Sequence, residues 1–69
     1  MKLSARNVLK GKVKQVTLGP VSAEVIVQLP GRQEIVSVIT TTSAQSLGLT
    51  KGKEVFVVIK ASNIMLATE

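Results

Sequence analysis

The sequence predicts an all-β fold: a five-stranded OB-like Greek-key barrel with one short helix between the third and fourth strands. Three observations predict it. Short apolar runs are separated by turn residues at close intervals. Several runs alternate apolar and polar residues with a period of two, the pattern of strands with one wet face. One stretch after the third run carries helix start and stop signals instead. Five strands with a helical turn at that point is the order of an OB-type barrel.

The elements follow in order. Leu9, Gly11, Val13 and Gln15 alternate with Lys10, Lys12 and Lys14, giving a first strand with a lysine-bearing wet face. Gly19-Pro20 breaks it. From Val21 to Leu29 the odd positions are apolar, and Ser22, Glu24 and Gln28 fill the other face, with Ile26 as the exception. Pro30-Gly31 suits the centre of a type II turn, since Pro fixes φ and Gly accepts a positive φ. A hairpin into a third strand over 33–40 follows. Thr42 or Ser43 can cap a short helix ending near Leu47, and Gly48 is placed to stop it in the left-handed conformation. Residues 49–53 form a turn, Val55–Ile59 a fourth strand and Asn63–Ala67 a last short one.

Ile35-Val36-Ser37-Val38-Ile39 and Val55-Phe56-Val57-Val58-Ile59 are apolar on both faces. So short a chain has too little of itself to cover both sides. Each strand is expected to turn one face to the core and the other to a second subunit. Phe56, inside such a run, is expected in the core.

Composition points the same way. Sixty-nine residues make a single domain, residues 1–69. A chain of this size buries only about 60% of its unfolded surface and needs help to be stable. With no Cys and no His, disulfides are absent and an ordinary zinc site is excluded. Oligomerisation remains. A hydrophobic content of 45% and a mean hydropathy of +0.37 agree with it. No apolar run approaches the roughly 20 residues of a membrane helix, so no membrane partner is expected. Met1-Lys2 leads straight into polar residues, so no signal peptide is expected and the expected location is cytoplasmic.

The net charge of +5 permits an anionic partner. Catalysis is not expected, because no His, Cys, Asp or Tyr is present and the four Glu are scattered. A small basic OB module could instead bind single-stranded nucleic acid. Its stacking platform is missing, since Phe56 is the single aromatic residue. The lysines of the first strand read as a solvated face that also discourages edge-to-edge aggregation.

Three donor clusters remain unexplained. Ser4-Ala5-Arg6-Asn7 lies at the front, Thr40-Thr41-Thr42-Ser43 in the middle and Lys60-Ala61-Ser62 at the back. They combine a guanidinium fork, an ammonium and hydroxyls, with no carboxylate. The start of the short helix adds backbone N–H groups. Such a set suits an oxyanion and is ill-suited to a metal cation.

These clusters also carry a family resemblance. Ser4-Ala5-Arg6-Asn7 with Gly11, then Ile39-Thr40-Thr41-Thr42-Ser43-Ala44-Gln45-Ser46-Leu47-Gly48-Leu49 with Gly52, then Val58-Ile59-Lys60-Ala61-Ser62 resemble the molbindins. These are stand-alone Mop domains, also grouped with TOBE domains. The match runs essentially end to end. It implies an OB-like barrel that binds molybdate or tungstate and no organic cofactor, in a hexamer built as a trimer of dimers, with the anion at subunit interfaces. It implies a role in cytoplasmic molybdate storage or homeostasis. It also implies ligand roles for Ser4, Ala5, Arg6, Thr40, Ser43, Lys60, Ala61 and Ser62. Ser46 departs from regulator-type modules, which can place Arg there.

Overall fold

The computed structural model describes residues 1–69 as four strands, one helix and one 3-10 turn. The strands are β1 (Asn7–Leu18), β2 (Ser22–Gln28), β3 (Glu34–Thr40) and β4 (Glu54–Ile59); the helix α1 spans Thr41–Ser46. They form one antiparallel sheet in the order β3-β2-β1-β4. The long β1 serves two partners. Its first half, Asn7–Lys12, pairs with β4, and its second half, from Lys12 on, pairs with β2.

Four strands form rather than the five expected. The expected last strand over residues 63–67 is replaced by a 3-10 turn at Ala61–Asn63 and an unpaired tail. Ile64 to Leu66 has strand-like composition, but no sheet edge of its own chain receives it. Met65 and Leu66 are 93% and 92% exposed.

The turns follow the local chemistry. Pro30-Gly31 makes the β2–β3 hairpin, with Gly31 at φ +89° and Arg32 N donating to Leu29 O. Thr40, rather than Thr42 or Ser43, caps α1: its side chain accepts from Ser43 N at 3.0 Å. Gly48, at φ +63°, closes the helix in a Schellman arrangement, with Gly48 N donating to Gln45 O and Leu49 N to Ala44 O. Leu49 then packs against the core. Lys53 Nζ donates to Leu47 O, satisfying another terminal carbonyl. Thr40→Ala should cost about 1 kcal/mol through the lost cap, read as a lower melting temperature; an unchanged melt would show that α1 does not need it.

The core is thin. Val13, Val25 and Val27 form its centre, flanked by Val16, Ile39, Leu49, Val55 and Val57. The first-strand alternation slips once, because a bulge between Val13 and Gln15 turns Gln15 outward and Val16 inward. Gly11 faces this core at close quarters. A Cβ there would lie 2.7 Å from Val27 Cγ1 and 2.8 Å from Gln28 O.

Only 6 of 69 residues are buried, so the isolated chain is under-covered. It exposes 5625 Å², where a compact monomer of this mass exposes about 4,200 Å². The apolar strands β3 and β4 account for part of the excess. Ile35, Ile39, Val55 and Val57 turn toward the core side, while Val36 (61% exposed), Val38 (68%) and Phe56 (57%) face outward. Phe56 is therefore not a core residue. The period-2 pleat gives the inner face to Val55, Val57 and Ile59 and leaves Phe56 directly opposite Lys10. No helix is long and apolar enough to cross a membrane.

Candidate functional site

The β1–β4 ladder brings the front and back clusters together. Asn7 opens β1 opposite Ile59, the last residue of β4. The residues just outside that pair are Arg6 on one strand and Lys60 on the other. Two cations that lie far apart in sequence thus flank the same end of one ladder. Asn7 ties the pair shut, its side-chain amide donating to Ile59 O at 3.2 Å. Sequence alone gives Asn7 no role, because its clamp depends on a residue 52 positions away.

Around them the donors are accessible. Ser4, Arg6, Lys60, Ala61 and Ser62 are exposed and Ala5 is half-buried. Lys60 caps the 3-10 turn with extended backbone, and Asn63 N donates to Lys60 O at 2.9 Å. Ala61 and Ser62 open that turn, so their N–H groups have no acceptor within it. Neither Arg6 nor Lys60 forms an ion pair. The two that form, Lys10–Glu54 and Lys14–Glu34, lie farther along the sheet. They occupy two of the three lysines of the first strand: Lys10–Glu54 joins neighbouring strands, and Lys14–Glu34 reaches across β2, both between exposed side chains.

The middle cluster lies elsewhere. Thr40 ends β3 opposite Ser22, beside the Leu18 end of β1. The sheet order puts it at the other end of β1 from Arg6 and on the other edge from β4. Much of its hydrogen-bonding capacity is already used. Thr40 Oγ1 accepts from Ser43 N and donates to Ser43 Oγ at 2.8 Å. Thr41 N donates to Val21 O, and Thr41 Oγ1 to Gly19 O. The ladder therefore puts Arg6 and Lys60 at one corner, with Ser4-Ala5 and Ala61-Ser62 next to them in sequence, and leaves Thr40 and Ser43 at another.

A small antiparallel β module with a carboxylate-free donor corner is the class that fold and site define. The chain belongs to the TOBE domain family, whose model matches residues 3–66, and within it to the Mop type. It is 42% identical over 66 residues to molybdenum-pterin-binding protein 3 of Clostridium pasteurianum, covering 96% of this chain and 97% of that one. It is 48% identical to the molybdenum transport protein ModE of Azotobacter vinelandii, of whose length it spans 26%. Among solved structures, a molybdate-binding protein from Sporomusa ovata superposes with a TM-score of 0.93 at 32% identity, covering 99% of this chain and all of that one. The cytoplasmic molybdate-binding protein ModG matches with a TM-score of 0.91 at 46% identity, over 94% of this chain and 46% of its own.

Proposed function

We propose that this chain is a non-enzymatic oxyanion-binding protein that holds molybdate or tungstate for cytoplasmic storage or homeostasis. The observation that carries the reading is the corner where Arg6 and Lys60 flank the Asn7–Ile59 pair with hydroxyl and N–H donors and no carboxylate. Molybdate near neutral pH is a proton-free dianion that presents only acceptors, and this corner presents donors. The likeness to two solved molybdate-binding proteins supports the choice of anion, and the cytoplasmic ModG supports the compartment.

The anion sits between subunits. Ser4, Ala5, Arg6, Lys60, Ala61 and Ser62 form one half of the ligand set, and Thr40 and Ser43 belong to another corner. A second copy is what would bring the two kinds of corner together. The excess exposed surface is on the order of 1,400 Å² per chain, more than the roughly 800 Å² per partner of a stable interface. The outward faces of β3 and β4 and the Ile64–Leu66 tail supply it. Two separate apolar edges allow two kinds of contact, as a hexamer arranged as a trimer of dimers requires.

Thermal melts with and without molybdate test the binding. At 100 times its dissociation constant an anion adds about 2.7 kcal/mol, which raises the melting temperature of so small a domain by roughly 10–20 °C. Light scattering at micromolar concentration should give about six chain masses. An unmoved melt would overturn the ligand, and a folded single chain would overturn the shared site.

A further inference from the structure

We propose that the notch beneath the β2–β3 hairpin is a separate site for an organic phosphate monoester. The notch is an open depression of about 460 Å³ lined by Lys10, Lys12, Leu29, Pro30, Arg32 and Glu54 among others. That volume falls in the range of small-molecule pockets, roughly 300–1,000 Å³. A bare tetrahedral oxyanion would fill only a small part of it.

The charges select the ligand class. Glu54 is committed to Lys10 at 3.2 Å. Lys12, although it lies across the ladder from Glu54, and Arg32 form no ion pair with a carboxylate. Two free cations face the notch, one a planar fork and one a point charge. A phosphate monoester carries about −1.5 to −2 near pH 7 and presents three acceptor oxygens, which such a pair meets. Leu29, Pro30 and the lysine stems offer an apolar wall to the organic part.

The backbone singles out Arg32. Its φ is +70°, the only positive value at a non-glycine residue in the chain. Glycine would sit in this last loop position without strain. The chain instead keeps a long cationic residue there, against a backbone cost, and Arg32 is among the residues that line the notch. The site is distinct from the Arg6–Lys60 corner. Lys12↔Glu54 and Asn7↔Ile59 are the two ends of the β1–β4 ladder, about 17 Å apart at strand rise.

Calorimetric titration of the full chain with adenosine 5′-monophosphate, inorganic phosphate and unphosphorylated adenosine tests the proposal. The monophosphate should saturate one site at millimolar concentration, with the other two at least tenfold weaker. Arg32→Gly should lose tenfold or more in affinity while its melting temperature rises. Lys12→Met should lose affinity without that rise. Molybdate binding should be unchanged in both variants. The proposal fails if the monophosphate does not saturate, if inorganic phosphate or adenosine binds as well, or if Arg32→Gly keeps its affinity. Loss of affinity together with loss of stability in Arg32→Gly would trace the effect to the hairpin and also overturn it.

Discussion

Gly11→Ala is expected to lower the melting temperature by roughly 5–20 °C, the equivalent of about 1–3 kcal/mol of overpacking in a domain this size. The added methyl carbon would meet Val27 Cγ1 at 2.7 Å, Gln28 O at 2.8 Å and Leu29 Cδ2 at 3.2 Å. A flexible side chain could swing aside. The Gln28 carbonyl cannot do so easily, because Gln28 pairs with both Lys12 and Glu34. Val27 belongs to the three-residue centre of the core. The collision therefore falls where β1 passes from one partner strand to the other, and both halves of the sheet meet the strain. A core with so few buried residues has little stability in reserve. A melting temperature within two or so degrees of the parent would mean that the approach of Leu29 and Val27 to Gly11 is looser than described.

Arg6→Ala is expected to weaken molybdate binding by between about tenfold and a hundredfold, since a hydrogen bond to a charged group contributes about 1.5–3 kcal/mol. Arg6→Lys should recover only part of the loss, because a point charge does not replace the planar fork. Lys60→Ala should act in the same range. The double variant should lose less than the product of the single effects, because both cations address one anion. The anion-free melt should barely change in any of them: both side chains are exposed and neither is in an ion pair. Calorimetry on these variants separates the site from the scaffold. Parental affinity in both Arg6 variants would move the anion to another part of the molecule.

Local chemistry made much of the fold legible. Pro30-Gly31, Gly48 and the Thr-Ser run announced a hairpin, a helix stop and a helix start, because each acts within a few residues of itself. What stayed hidden is non-local. The bulge at Lys14 is invisible in β1 alone, since it exists only against β2. The five apolar residues from Val55 to Ile59 carry no period that assigns a face, so sequence alone favours Phe56 inside, whereas the β4 register turns it out. The tail reads as a strand because Ile64 and Leu66 have strand composition, yet a strand also needs an edge. At the site, residue types could be read but proximity could not. Arg6 and Lys60 meet only through the β1–β4 register, and the same register gives Asn7 its clamp.

In the proposed assembly, the sparse core also governs how the protein responds to its own abundance. Where folding is completed by contact between copies, dilution unfolds as surely as heat does, and the melting temperature climbs with concentration. For an assembly of n chains, the assembled share follows roughly the n-th power of the free-chain level. A modest fall in expression then removes binding capacity out of proportion, and a modest rise restores it abruptly. On the proposed shared site, supply of the chain itself becomes the control on how much anion is held.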